Sequence, residues 1–340
     1  VRVVEIEKPG GPEVLRIVER PLPRPGAGEV LIRVAAAGVN RPDVQQRRGL
    51  YPPPPGASEI PGLDVAGVVH EVGPGVEALE TGMPVCALVN GGGYAEFCAV
   101  PAVQCMPVPR GLSFVEAASL PEVFFTAWNN IVWLAGLKSG ETLLVHGGTS
   151  GVGLAAIQIA GQLCDAKVYA TAGSAEKRAI CVAAGAAAAF DYKGGWDDEI
   201  RAVTGGEGVD VILDGQAGPA TQRQLDLLKF DGRLVLIASH QGATAVVNLR
   251  QIVRRRLTLT GSTLRPRPAD YKGRLARELV AKVWPLLEDG RIATRIHKAL
   301  PFEEVRRAHA ILDANEQIGK VVLVVDPRFA AVVPGPGDRF

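Results

Sequence analysis

Four glycines, Gly147, Gly148, Gly151 and Gly153, lie in the run Glu141 to Ala160 at a spacing suited to holding phosphate. Before them, Thr142 to Val145 is a short apolar run of the kind that forms a fully buried parallel strand. After them, Val152, Leu154, Ala155, Ile157, Gln158 and Ile159 continue at helical spacing. Glycine lets the backbone turn sharply and approach a ligand with no side chain in the way. The helix N-terminus then points its unpaired N–H groups at the turn, where a pyrophosphate would sit. A second apolar strand, Ala166 to Ala172, follows at βαβ distance. The expected dinucleotide site is therefore Gly148, Thr149, Ser150, Gly151, Val152 and Gly153.

An NAD site carries an acid about 20 residues past the glycines to grip the adenine ribose. Here that position falls in Thr171-Ala-Gly-Ser-Ala-Glu-Lys-Arg178. No acid stands at the strand end; Gly173, the Ser174 hydroxyl, Lys177 and Arg178 do. Donors and positive charge suit a 2′-phosphate that a carboxylate would repel. Glu176 belongs to the helix's first turn, where an acid is favoured in any case. The cofactor expected is NADPH.

Two domains must position this chemistry. Up to about residue 120 the chain is a series of short β-branched runs separated by Gly- and Pro-containing turns: Val1 to Glu7, Val14 to Glu19, Val30 to Ala36, Leu63 to Val72, Val85 to Val89 and Tyr94 to Val100. Such spacing predicts a partly closed barrel or sandwich. Two loops interrupt it. One runs Gly38-Val-Asn-Arg-Pro-Asp43, through a short polar helix, to Tyr51-Pro-Pro-Pro-Pro-Gly56; the other is Asn90-Gly-Gly-Gly93. The stiff proline run holds Tyr51 at its edge.

From about 122 to 264 strands and helices alternate, predicting a doubly wound parallel sheet. Further strands are expected at Ala187 to Tyr192, Val209 to Gly215, Arg233 to Ser239 and Leu257 to Thr263, and helices at Ser174 to Ala184, Trp196 to Thr204 and Pro219 to Phe230. Beyond lie an amphipathic helix over Leu275 to Leu287, a helix over Phe302 to Ala314 and a last strand, Lys320 to Val325, expected to return to the first sheet. The α/β expectation is thus residues 1–122 with 265–326 as a substrate domain, 123–264 as a Rossmann domain, and 327–340 as a disordered Pro- and Gly-rich tail.

A formal charge of +1 offers no basic footprint for nucleic acid, and no apolar run is long enough for a transmembrane helix. Five cysteines without paired spacing (Cys86, Cys98, Cys105, Cys164 and Cys181) read as reduced thiols of a cytoplasmic protein, with Cys98 and Cys164 in the core. The N-terminus reads as a strand without a signal peptide's features. The absent initiator Met suggests trimming, with which a short targeting segment would be lost.

Taken together, Asn40-Arg-Pro-Asp43, Gln46-Arg-Arg-Gly-Leu-Tyr-Pro-Pro-Pro-Pro-Gly-Ala-Ser58, His146-Gly-Gly-Thr-Ser-Gly-Val-Gly153, Thr171-Ala-Gly-Ser174 and Ile318-Gly-Lys320 resemble the medium-chain dehydrogenase/reductase superfamily. Within it, they resemble the zinc-free NADPH:quinone oxidoreductases of the zeta-crystallin and p53-inducible quinone reductase branch. The resemblance covers the chain to about Val325. It implies a GroES-like, partly open β-barrel beside the Rossmann domain. It implies that Gly173, Ser174, Lys177 and Tyr192 hold the 2′-phosphate end, and that the backbone of Leu264 and Arg265 meets the nicotinamide carboxamide. Asn40, Asp43 and Tyr51 would line the nicotinamide and substrate cleft. His240 and Gln241 stand where the family has small or apolar residues, so no cofactor contact is carried over to them.

The zinc-dependent relatives need a Cys and a His as metal ligands. The Cys position falls at Asn40, and the Gly-His-Glu motif reads Gly62-Leu63-Asp64, so no metal is expected. Asp64 reads as a buried, hydrogen-bonded structural acid. Without a Lewis acid, a quinone or activated enone is the fitting acceptor, because conjugation spreads the negative charge left by hydride. Tyr51 is the implied hydrogen-bond donor. An enoyl or alkenal double-bond reductase is the enzymatic alternative; an NADPH-binding structural, sensory or RNA-binding protein is the alternative of another class. A homodimer is expected through the edge strand Leu257 to Gly261.

Overall fold

The computed structural model describes residues 1–335 and 337–339 and divides into two compact units, 1–125 with 264–340 and 126–263. The first is built on an antiparallel-rich sheet whose spine is the strand Glu29–Val39. Along its length Glu29–Val39 pairs antiparallel with Asp64–Val72 on one side, and with Phe97–Pro101 and Lys320–Val324 on the other. The C-terminal strand thus closes back on the first sheet, Val321 facing Val39 and Val324 facing Ala36. The side chains of Val30, Ile32, Val34, Val65, Val69, Val85, Val321 and Leu323 make one buried cluster.

Gly67 and Gly38 are among the glycines that allow close approaches in this unit. A Cβ on Gly67 would lie 2.1 Å from the Arg33 carbonyl oxygen of the neighbouring strand. One on Gly38 would lie 2.2 Å from Asp64 Oδ1, so Gly38 makes the space that Asp64 fills.

The second unit is a six-stranded parallel sheet in the spatial order Ala188–Asp191, Lys167–Ala172, Thr142–Val145, Val209–Asp214, Leu228–Leu236, Thr258–Gly261. In chain order that is 3-2-1-4-5-6, the dinucleotide-fold arrangement, with its reversal point beside Thr142–Val145. Leu143, Leu144 and Val145 are wholly buried, as the apolar run requires.

Several expected boundaries move. The helix expected to reach Phe230 ends at Leu227, because Leu228 already pairs with Val209. The amphipathic helix begins earlier, at Ala269, and breaks between Ala269–Lys282 and Trp284–Glu288, where Pro285 has no N–H to continue it. The strand expected from Tyr94 starts at Phe97, since Tyr94 turns its ring into the core. Trp128–Leu134 coils as a wide π-type turn that the sequence pattern does not signal; the Asn130 amide caps the Thr126 carbonyl there.

Phe329 and Ala330 are buried, where the tail was expected to be disordered. Phe329 stacks edge-on against Phe114 with the Arg33 guanidinium 4.4 Å from its ring, and Val115 donates to the Ala330 carbonyl. Of the tail, Pro336 and Phe340 lie outside the described residues. No cysteine is disulfide-bonded; Cys98 is in the core, whereas Cys164 caps the C-terminus of its helix and is only half-buried. No described helix is long and apolar enough to cross a membrane.

Candidate functional site

The dinucleotide half lies in the parallel-sheet unit. Strand Thr142–Val145 passes through His146 into Gly147, held at φ +69°, a left-handed conformation glycine adopts without strain. A Cβ on Gly148 would lie 2.7 Å from Cys181 Sγ and 2.8 Å from Ala170 Cβ. One on Gly153 would lie 2.5 Å from the Gly147 carbonyl oxygen. These glycines let helix Gly151–Leu163 start directly beneath the turn. Ser150 caps it, its hydroxyl accepting from the Gly153 N–H at 3.0 Å. The turn is tied to the second strand, since the Gly148 N–H donates to the Thr171 carbonyl and the His146 Nδ1 lies 3.0 Å from the Thr171 hydroxyl. Burial holds His146 below its ordinary pKa and so neutral, which spares the turn a charge.

At the end of strand Lys167–Ala172, Gly173 lies under the Tyr192 ring; a Cβ there would come within 2.6 Å of Cε1. Ser174 is exposed and caps the next helix, accepting from the Lys177 N–H. Tyr192 is 53% exposed and Lys193 Nζ lies 5.8 Å from its ring centre. The chain thus brings the Tyr192 ring onto Gly173 and the Lys177 backbone onto Ser174. Arg178, read with Lys177 as a second phosphate cation, has its NH1 3.1 Å from Asp191 Oδ2, an ion pair without hydrogen-bond geometry.

In the other unit, the expected cleft residues belong to an inner network. Asn40 ends the spine strand and begins helix Arg41–Arg47. Its amide Nδ2 donates to Asp64 Oδ1 at 2.9 Å, and its Oδ1 accepts from Lys320 Nζ at 2.5 Å. Lys320 also bonds Asp64 Oδ2 at 3.1 Å, with the pair 4% and 0% exposed. Asp43 is fully buried and accepts from the Asn40 N–H, the Gly62 N–H and the Tyr94 hydroxyl. Burial pushes its pKa up to about 6, against the opposing pull of the Asn40 and Gly62 donors. Behind Tyr94 the His309 Nε2 lies at 3.3 Å, and Arg47 lies 3.3 Å from His309 Nδ1 and bonds Asp313. Burial, reinforced by Arg47, drops His309 to about 3, so it is neutral. Arg47 can only donate, which makes Nδ1 the acceptor and Nε2–H the donor to Tyr94.

Asn40 and Asp43 therefore have polar atoms engaged in hydrogen bonds inside the protein, which hold the loop and helix around them. Lys320, Tyr94 and His309 were not singled out from sequence for this network; only the Ile318-Gly-Lys320 motif hinted at the first. A zinc ion does not fit here. Asn40 and the buried Leu63 stand at the ligand positions, and the Lys320 ammonium, itself a cation, is lodged between Asn40 and Asp64. Asp64 is the buried, hydrogen-bonded acid expected.

Tyr51 is half-buried beside Arg265, whose guanidinium carbon lies 5.5 Å from the ring centre and whose NH1 donates to the Tyr51 carbonyl at 3.4 Å. Leu264 precedes it, 8% exposed.

A GroES-type sheet unit interrupted by a dinucleotide-fold unit defines a medium-chain, nicotinamide-dependent oxidoreductase. The comparisons agree. Residues 26–110 match the alcohol dehydrogenase GroES-like domain and residues 151–281 the zinc-binding dehydrogenase family. A quinone oxidoreductase from Rattus norvegicus is 33% identical over 329 residues, covering 96% of this chain and 98% of that one. The Escherichia coli quinone oxidoreductase complexed with NADPH superposes with a TM-score of 0.85 at 29% identity, covering 96% and 100% of the two chains. The JamJ enoyl reductase gives a TM-score of 0.85 at 26% identity, covering 96% and 99%. The chain belongs to the quinone oxidoreductases of the medium-chain dehydrogenase/reductase superfamily.

Proposed function

We propose that this protein reduces quinones with NADPH and without zinc. The observation that carries the reading is that the second Rossmann strand ends in Gly173 and Ser174 rather than in an acid, with the Tyr192 ring over Gly173 and Lys177 in the first turn of the next helix. This strand end offers a hydroxyl, an ammonium and a phenol to a 2′-phosphate, and no carboxylate to grip a bare ribose. Residues 148–153 and the N-terminus of their helix would take the pyrophosphate, and the Leu264 and Arg265 backbone the carboxamide. When bound, the reduced nicotinamide supplies a hydride.

The chain's own residues supply orientation and charge control. The Asn40–Asp64–Lys320 cluster and the Asp43 network hold the loop and helix around Asn40 rigid, and offer no vacant Lewis acid. Tyr51 donates a hydrogen bond to the acceptor oxygen. This suits a conjugated acceptor, whose negative charge is spread without a metal. The likeness to an enoyl reductase favours reduction of an activated C=C bond as the second reading.

The experiment is NADPH and NADH oxidation with a small para-quinone and a bulky ortho-quinone, on wild type and Lys177→Ala. NADPH is expected to be preferred, and Lys177→Ala to lower that preference about tenfold, one charge-assisted contact. Tight NADPH binding with no quinone turnover rejects the reading in favour of the enone.

The assembly we propose is a homodimer through the strand Thr258–Gly261, which lies at the sheet edge with Leu259 41% exposed. Phe230, Leu249 and Val253 are exposed in the same unit. Sedimentation should give two chains for wild type and one for Leu259→Lys; a wild-type monomer refutes it.

A further inference from the structure

Arg265 and Lys272 are two buried cations that no carboxylate pairs. Arg265 is 5% exposed and Lys272 is 0% exposed, yet neither forms an ion pair among the described residues. Their partners are neutral carbonyl oxygens: Arg265 Nε donates to the Asn90 carbonyl at 2.8 Å, and Lys272 Nζ donates to Asn90 Oδ1 at 2.5 Å and to the Arg265 carbonyl at 2.9 Å. The Arg265 NH2 is buried with no hydrogen-bond partner at all. It lies 3.3 Å from where a Cβ on Gly91 would be, a position that the Ser58 and Ile60 carbonyl oxygens, at 2.5 and 3.0 Å, already restrict to glycine. Glu122 acts on both cations at longer range, and Asp43 on Arg265, without bonding either. Burial, with a smaller contribution from the Arg265 charge and against the pull of Glu122, brings the Lys272 pKa down to about 8.

Buried charge without a bonded counter-charge is expensive, and a fold that keeps two such cations side by side is arranged for negative charge that arrives later. The nearest reactive group is Tyr51, whose ring Arg265 flanks and whose carbonyl it holds. We infer that Arg265 and Lys272 form a cationic floor beside Tyr51 that stabilises the oxyanion of the reduced acceptor. This rests on the quinone reading above and adds to it a charge for the side chain of Arg265.

The chemistry balances. The acceptor gains a hydride, hence two electrons and one proton, from the reduced dinucleotide. One quinone oxygen bonds to that hydride as the donor C–H bond breaks, both carbonyl π bonds move into the ring, and the other oxygen becomes a phenolate. That oxygen then takes one proton from water, giving the neutral hydroquinone and hydroxide, which buffer neutralises. Between the two events the oxygen carries a full negative charge, and the fixed positive field next to Tyr51 lowers the barrier to forming it.

The test uses a stable stand-in for that anion. 4-Nitrophenolate and its neutral isostere 4-nitroanisole are titrated into the full chain with oxidised dinucleotide bound, at about pH 7.5, where Lys272 is still mainly protonated, following the nitrophenolate absorbance and competition against quinone reduction. Wild type should hold the phenolate about tenfold or more over the neutral compound. Arg265→Gln should erase that selectivity and lower kcat about a hundredfold while leaving the KM for NADPH within about twofold. Arg265→Lys, which keeps the charge, should retain most of the selectivity and guards against a Gln variant that fails to fold.

Equal binding of the two compounds by wild type overturns the inference, as does a fully active Arg265→Gln. A wild type that selects the phenolate but reduces no quinone rejects the quinone reading and upholds the anion site. One that reduces quinones without selecting the phenolate rejects the anion site alone.

Discussion

Replacing Tyr94 with Phe keeps the ring that fills the core and removes one oxygen. That oxygen donates to Asp43 at 3.1 Å and lies 3.3 Å from His309 Nε2, all within wholly buried surroundings. Losing a hydrogen bond to a buried ionised carboxylate costs about 2 kcal/mol, and leaving the His309 N–H unpaired adds about 1 kcal/mol. The expected loss at pH 8 is therefore about 3 kcal/mol. The pH dependence sharpens the test. Asp43 has an ordinary pKa of 3.8 that rises to about 6 in the fold. The native state thus binds a proton that the unfolded state does not between those values. Its contribution is fully present below 3.8 and is lost as pH rises through about 6, a change of about 3 kcal/mol. Tyr94→Phe withdraws a donor from the ionised form only, so its cost should shrink to about 1 kcal/mol at pH 5, where Asp43 is protonated. Urea unfolding of wild type and variant at pH 8 and pH 5 measures both. A loss below about 0.5 kcal/mol at pH 8, or an equal loss at the two pH values, refutes the network as described.

Two further perturbations follow from other contacts. Gly153→Ala places a Cβ 2.5 Å from the Gly147 carbonyl oxygen and should abolish dinucleotide binding, read by NADPH fluorescence, while the far-ultraviolet circular dichroism stays native. Lys320→Met leaves Asp64 buried without its cation; thermal unfolding should show a loss of about 3–5 kcal/mol, and added zinc should not restore it.

The architecture was legible because it rests on local and periodic signals. An apolar run followed by glycines and a helical repeat specifies strand, turn and helix without reference to the rest of the chain, and strand Thr142–Val145 lies where the pattern put it. The proposed 2′-phosphate site was half legible. Gly173, Ser174 and Lys177 are adjacent in sequence, so the missing acid could be read directly, whereas the resemblance alone brought in Tyr192. That its ring covers Gly173 is a long-range fact.

Boundaries failed where a tertiary partner overruled propensity. Tyr94 left its strand for Asp43, Leu228 left its helix for Val209, and Phe329 drew the tail onto Phe114.

By itself, then, the sequence determined the strand–turn–helix units, the acid-free second strand and the absence of zinc-ligand side chains at Asn40 and Leu63, each a property of neighbours in the chain. Only the tertiary structure decided what the polar side chains face. Asn40 meets Lys320 across 280 positions, Asp43 meets Tyr94 across 51 and Arg47 meets Asp313 across 266. No periodicity encodes such pairs. They form because a buried polar group must find a partner wherever the fold brings one, and Arg265 and Lys272 stand out because the fold brought them no carboxylate.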